Sequence, residues 1–173
     1  MTAAIVLIGP PGAGKTSVGR ALAKVSSLPF VDTDVLIEKN QGKSISEIFV
    51  DDGEGYFRAV EERICLEILH ESSGIISLGG GAPLSANVQN ALKSSTMQIV
   101  FLDVSLSVAA PRIGFNRDRP LLLNNPRQQW QILMDKRRPI YEEVATLKIE
   151  VGQLSVAAIC DEILQKIGTP WLR

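Results

Sequence analysis

Aromatic residues make up only 5% of the 173 positions, and there is a single histidine, His70. So few rings leave no stacking platform for single-stranded nucleic acid. A formal net charge of −1 gives no basic field to attract a phosphate backbone, so nucleic acid is not an expected partner. His70 stands near the end of a helical stretch and reads as a surface residue, with no base or metal role. Cysteine is as scarce: Cys65 and Cys160 share no metal-type spacing, and two thiols buried in helices fit them better than a disulfide. No apolar run approaches the ~20 residues that a membrane span needs. A strand-like run begins within the first few residues, which leaves no room for a signal peptide, so a cytoplasmic protein is expected. The 45% hydrophobic content and mean hydropathy of +0.13 describe a chain able to bury a real core as one domain, 1–173.

Against this plain background one stretch stands out, Gly9-Pro10-Pro11-Gly12-Ala13-Gly14-Lys15-Thr16. It matches G-x-x-x-x-G-K-[ST] in full. Ala3-Ala4-Ile5-Val6-Leu7-Ile8 precedes it as a buried parallel strand, and a helix follows with Val18, Leu22 and Val25 on one face. The glycines let backbone N–H groups converge on phosphate oxygens, and the helix aims its positive end at the same point. Lys15 supplies a point charge, and the Thr16 hydroxyl is placed to ligate a metal ion.

Further apolar runs recur between helical patterns: Leu28–Asp32, Gly74–Leu78, Met97–Leu102 and Thr146–Val151. Such alternation implies βαβ units and a parallel sheet of five strands covered on both faces. A helix over about Tyr56 to Leu69 stripes Val60, Ile64, Ile68 and Leu69, with Arg58 at its opening. Another runs from Ser155 to Ile167 with Val156, Ile159, Ile163 and Ile167, capped by Ser155 and stopped by Gly168 and Pro170. Cys160 adjoins that stripe as a core residue.

In open α/β sheets ligands bind beyond the carboxyl ends of the strands. Asp32 and Asp34 stand there after the second run, suited to metal handling and hydroxyl recognition, or to a turn and helix cap. Gly79-Gly80-Gly81 follows the third; three glycines suit close approach of a ligand to bare backbone more than they suit a plain turn. Arg58 has Glu61 one helical turn on to orient it. The stretch from Arg112 to Leu122 mixes three arginines with a glycine and a proline. It reads as a segment able to cover phosphates, or as a solvated basic loop. Pro111 is expected to end the preceding helix early and shift Arg112. Asp103, ending Val100-Phe101-Leu102-Asp103, rivals Asp32 for a metal role.

Taken in order, the phosphate loop, Asp32-Thr33-Asp34, Asp52-Gly53-Glu54 with Phe57-Arg58, Leu78-Gly79-Gly80-Gly81-Ala82, Arg119-Pro120-Leu121-Leu122 and Arg137-Arg138-Pro139-Ile140-Tyr141 resemble bacterial shikimate kinases over nearly the whole chain. These are ATP-dependent small-molecule kinases of the nucleoside-monophosphate-kinase type. The phosphate loop alone is common to many families; the ordered set is specific. The resemblance implies a three-layer α/β/α P-loop fold with a five-stranded parallel sheet in the order 2-3-1-4-5. It also implies a substrate-binding helical segment over about 33–62 and a mobile lid over about 112–124.

Residue by residue, the resemblance implies that Gly12, Ala13, Gly14, Lys15, Thr16 and Ser17 wrap the phosphates of ATP, the co-substrate. Thr16 would hold one Mg²⁺ per subunit, with Asp32 close to the metal. Asp34, Arg58, Gly80 and Arg137, with Gly79 and Gly81 beside them, would hold shikimate. The arginines suit its carboxylate, and Asp34 suits its ring hydroxyls and is the natural base. Arg119 would close over the nucleotide, favoured over its alternative Arg117 by the following Pro120, and Arg112 would lie against the adenine. A further nucleotide contact falls near Gln153. The family pattern favours Asp32 over Asp103 for the metal. The implied products are ADP and shikimate 3-phosphate, within chorismate and aromatic amino-acid biosynthesis. A monomer is expected on separate grounds, since no helical or strand pattern advertises an interface.

Two rivals follow from the residues. A related kinase would use gluconate or a nucleoside monophosphate as acceptor. A guanine-nucleotide switch would carry Asn-Lys-x-Asp, which this sequence lacks.

Overall fold

The apolar runs become five strands of one parallel sheet. The structure, a computed structural model of the chain, describes residues 4–71, 73–113 and 125–168. In chain order its elements are β1 (Ala4–Ile8), α1 (Lys15–Ser26), β2 (Phe30–Asp32), α2 (Thr33–Gln41), α3 (Ile45–Asp51), α4 (Gly53–Glu71) and β3 (Gly74–Ser77). A short 3₁₀ turn (Ala82–Leu84) follows, then α5 (Ala86–Ser94), β4 (Gln98–Asp103), α6 (Leu106–Ile113), α7 (Pro126–Val144), β5 (Leu147–Glu150) and α8 (Val156–Ile167). The strand order is β2-β3-β1-β4-β5 and every pairing is parallel, as the resemblance implied. All residues of β1 and β3 are buried, which requires cover on both faces and explains why their sequences are runs of apolar residues without polar alternation.

Parallel strands put all their carboxyl ends on one edge. The register aligns Leu7 of β1 and Asp32 of β2 with the same residue of β3, Ser77. The phosphate loop, Asp32, the glycine run after β3 and Asp103 therefore gather along that edge.

The helices depart from expectation in instructive places. On α1, Val18 and Leu22 are buried but Val25 is 52% exposed. The buried face is Val18, Gly19, Leu22, Ala23 and Ser26, centred about a quarter turn from Val25. Gly19 sets that rotation, because a methyl group there would collide with the Phe30 ring of β2. On α8, Ser155 is the N-cap, accepting from the Ala158 N–H, and Gly168 ends the helix at φ 86°. Val156 opens this helix and is exposed, so the buried stripe begins a turn later at Ile159. Cys160 lies in the core with its Sγ 3.7 Å from the Val18 carbonyl, and burial pushes its thiol up to about 11, as expected of an unreactive cysteine. Cys65 is also a buried free thiol.

Helix α4 starts earlier than expected, so Arg58 sits in its second turn instead of opening it. It serves two apolar clusters. Leu69 and Cys65 belong to the main core, while Phe57, Val60 and Ile64 pack with Ile37 of α2 and Ile48 of α3 in a smaller one. This satellite cluster holds α2 and α3 against α4. Fully burying each such side chain contributes roughly 1.5–3 kcal/mol. Helix α6 continues through Pro111 to Ile113. Its Ala109 and Ile113 pack on the phosphate loop, where a methyl group at Gly12 would stand 3.1 Å from each of them. That contact outweighs the backbone bond Pro111 cannot make.

Candidate active site

The turn from β1 into α1 is shaped by positive-φ glycines at 9, 12 and 14. Gly9 can bear no side chain at all, since a methyl group would press to 2.8 Å from the Leu102 carbonyl of β4. With Gly14 as left-handed N-cap, the N–H groups of the first turn of α1 have no capping side chain and face the loop. The Lys15 Nζ lies along the same loop, donating to the Gly9 carbonyl at 2.9 Å and the Pro10 carbonyl at 3.2 Å. Ala13 turns its methyl group into the core, which leaves its backbone to the loop. Gly12, Gly14, Lys15, Thr16 and Ser17 line one wall of a cleft of about 260 Å³. Arg112 reaches this wall from α6, its Nη1 donating to the Gly12 carbonyl at 3.0 Å, so Pro111 does not turn it away.

Asp32 does two things at once. Its Oδ1 caps α2 by accepting from the Asp34 N–H at 3.0 Å, and its Oδ2 accepts from the Thr16 hydroxyl at 2.7 Å. The turn-and-cap reading of this carboxylate therefore holds, and the same group also reaches Thr16 of the phosphate loop. Asp103 is otherwise engaged: both its oxygens accept from Arg138 of α7, each at 2.8 Å. It ties β4 to α7 and does not line the cleft.

The opposite wall carries Asp34, Ser77, Leu78 and Gly80. Here the three glycines after β3 each make room for a different side chain. A methyl group at Gly79 would fall 2.5 Å from Asp34 Oδ1 and 2.9 Å from Glu61 Oε1. One at Gly80 would stand 3.3 Å from Arg137 Nη1, and one at Gly81 would collide with the Arg58 guanidinium. Asp34, Arg58 and Arg137 thus converge on one backbone loop from α2, α4 and α7. Arg58 Nη1 donates to Glu61 Oε2 at 2.6 Å, the i,i+3 orientation expected from the sequence. Burial pushes the Glu61 carboxyl above the usual carboxylate range, while the Arg58 guanidinium pulls against that shift. Arg137 is 4% exposed, and its Nε has no hydrogen-bond partner among the described residues. A buried guanidinium with an unused donor is a costly arrangement unless an anion completes it.

Three contributors escaped the sequence reading. The Thr33 hydroxyl, fully buried, accepts from the Gly79 N–H at 3.0 Å and donates to the Ser77 carbonyl at 3.3 Å, pinning the glycine run to the start of α2. Trp130 Nε1 donates to the Pro11 carbonyl at 2.8 Å, and the Tyr141 hydroxyl donates to the Gly80 carbonyl at 2.6 Å. A sequence signal common to both is the helical spacing of Trp130, Met134, Arg137, Tyr141 and Val144, all buried. Gln153 lies in the exposed turn after β5 and does not line the cleft. Arg117 and Arg119 lie outside the described residues, as does most of the expected lid over 112–124. Among the described residues no helix is long and apolar enough to cross a membrane.

Comparison with known proteins agrees with this arrangement. Residues 11–168 match the model of the shikimate kinase family. A shikimate kinase from Rhodococcus jostii is 43% identical over 94% of this chain and 96% of its own. One from Thermobifida fusca is 46% identical over 86% of this chain and 85% of its own. Among solved structures, a shikimate kinase from Acinetobacter baumannii in complex with shikimate superposes with a TM-score of 0.92 at 36% identity, covering 96% of this chain and 93% of that one. The chain belongs to the shikimate kinase family.

Proposed function

We propose that this protein transfers the γ-phosphoryl group of ATP to a ring hydroxyl of shikimate, giving ADP and shikimate 3-phosphate in aromatic amino-acid biosynthesis. The observation that carries the reading is a phosphate loop that faces, across a cleft lined by Asp34 and Gly80, the glycine run on which Arg58 and a buried, incompletely partnered Arg137 converge. Two guanidiniums suit one carboxylate, which favours an acid over a neutral polyol.

In this reading the loop N–H groups, Lys15 and Ser17 bind the phosphates, and Arg58, Arg137 and the Gly79–Gly81 backbone bind shikimate. The acceptor hydroxyl oxygen forms a bond to the γ-phosphorus as the bond from that phosphorus to the β–γ bridging oxygen breaks. The electron pair leaves on ADP, and the hydroxyl proton passes to Asp34. Catalysis is mostly positioning together with neutralisation of charge, and Lys15 supplies part of that charge. Arg119 supplies more as the lid cation, with Arg112 beside the nucleotide and Gln153 near its base; a larger loss of turnover in Arg119→Ala than in Arg117→Ala checks the lid assignment. The Thr16 hydroxyl and Asp32 carboxylate, 2.7 Å apart, are the hard oxygen donors that Mg²⁺ prefers, Asp32 acting through water. When bound there, the ion neutralises phosphate charge and orients the γ-phosphate. A monomer in the cytoplasm accompanies this reading.

The test is ADP release from the purified protein with Mg²⁺ and ATP, with shikimate, gluconate or AMP as acceptor. Strong stimulation by shikimate alone is expected. ATP binding without such stimulation would return the acceptor to the rival kinases, and preference for GTP would favour a switch.

A further inference from the structure

Helix α7 touches both walls of the cleft along one buried stripe. Trp130 Nε1 holds the Pro11 carbonyl of the phosphate loop at 2.8 Å. The Tyr141 hydroxyl, three turns on, holds the Gly80 carbonyl of the acceptor loop at 2.6 Å. Arg137 lies between them on the same face. The two loops also meet directly: a methyl group at Gly80 would stand 3.3 Å from the Gly9 carbonyl and 3.5 Å from the Pro11 ring. Both donors are rigid aromatic side chains, 2% and 1% exposed, so neither can swing away without opening the core. Tyr141 is further held by the Phe101 ring of β4, with centroids 5.2 Å apart. Burial pushes its phenol up to about 12, so the hydroxyl keeps its proton, and remains a donor, throughout the working range of pH.

We propose that Trp130 and Tyr141 are positioning residues that together set the gap across which the phosphoryl group moves, Trp130 by holding the donor loop and Tyr141 by holding the acceptor loop. In-line transfer is sensitive to this gap, because misplacing a reacting group by about 1 Å costs up to about 100-fold in rate. Anchoring both loops to one rigid helix makes their separation a property of helix geometry, independent of either loop's own flexibility. The inference rests on the proposed kinase function, and its two halves carry different signatures.

The experiment uses the full chain as Tyr141→Phe, Trp130→Phe and, as a packing control, Ile163→Val in α8. For each protein, kcat and KM for shikimate, ATP hydrolysis without acceptor, and Tm are measured. Tyr141→Phe is expected to lower kcat for transfer about tenfold while leaving acceptor-free hydrolysis within about twofold. Trp130→Phe is expected to lower both rates about fivefold, since the donor loop serves both. Ile163→Val lowers Tm and leaves the ratio of transfer to hydrolysis unchanged. Equal loss of both rates in Tyr141→Phe, or no loss in either, overturns the acceptor half; intact hydrolysis in Trp130→Phe overturns the donor half. Should the unmodified protein ignore shikimate, the function reading fails instead. The hydrolysis assay then still decides, because Trp130→Phe must lower it and Tyr141→Phe must not.

Discussion

Along the phosphate-loop wall, Gly12, Gly14, Lys15, Thr16 and Ser17 all come from one short stretch, with the N–H groups that open α1 left without a capping side chain. Along the facing wall, Asp34, Arg58 and Arg137 arrive from α2, α4 and α7, and only the glycine run they converge on is local in sequence. A site made of backbone must be contiguous, because successive peptide groups are its ligands. A site made of side chains needs only that the fold bring them together. The first wall can therefore be recognised on any chain as a motif. The second carries the specificity, and nothing in the spacing of its members announces it.

The widest separation of the two walls comes from removing one cation on each. Lys15→Ala takes the fixed charge from the phosphate wall, and turnover is expected to fall on the order of 1,000-fold, with much smaller change in shikimate affinity. Near-normal turnover in a standard ADP-release assay would refute the phosphate-loop assignment. Arg58→Ala acts on the other wall: the KM for shikimate is expected to rise roughly 10- to 100-fold, the worth of a charge-assisted hydrogen bond, while ATP affinity stays put. Weakened ATP binding with unchanged acceptor use would break the comparison.

These contrasts explain how far the chain could be read unaided. The parallel sheet and its two-sided cover followed from the apolar runs, because burial on both faces leaves a strong signal, whereas the strand order followed from the family likeness alone. The phosphate loop was legible in full. Arg58 gained meaning only from Glu61 one turn away, and Arg137 stands among Lys136 and Arg138, equally basic neighbours. What separates Arg137 from Arg138 is a rotation of about 100° around α7. Arg137 is buried against Gly80, while Arg138 pairs with Asp103. The local signal for that choice is the helical spacing of Trp130, Met134, Tyr141 and Val144, whose stripe includes Arg137 and leaves out Arg138. Val25 was misplaced for a related reason, since the contact that rotates α1 is the absent side chain of Gly19 against Phe30.

The glycine run offers a finer test of the side-chain wall. Gly81→Ala places a methyl group in the Arg58 guanidinium and is expected to raise the shikimate KM about tenfold, in the direction of Arg58→Ala and with little effect on ATP. Gly55→Ala, in α4 near Arg58 in sequence, meets nothing within 4 Å. It is expected to leave kinetics unchanged and to stabilise the helix by roughly 0.5–1 kcal/mol. If Gly81→Ala behaves like Gly55→Ala, the glycine run is a turn and the convergence of side chains on it has no functional content.

The smallest expected effect belongs to Asp103→Asn, and it bears on which acid serves the phosphate wall. Asp103 ends β4 after an apolar run, the pattern that made it a rival for the metal, yet Arg138 occupies both its oxygens at 2.8 Å. Asparagine can accept at only one of those positions, so the pairing is halved. Arg138 keeps 37% of its side chain in water, and solvent screening holds the loss of stability to at most about 1 kcal/mol. The Mg²⁺ concentration that gives half-maximal turnover is expected to stay within about twofold, whereas Asp32→Asn, which alters the oxygen pair with Thr16, should raise it about tenfold. The reverse ranking would move the metal role to Asp103 and make the Arg138 contact a lock that nucleotide binding must open.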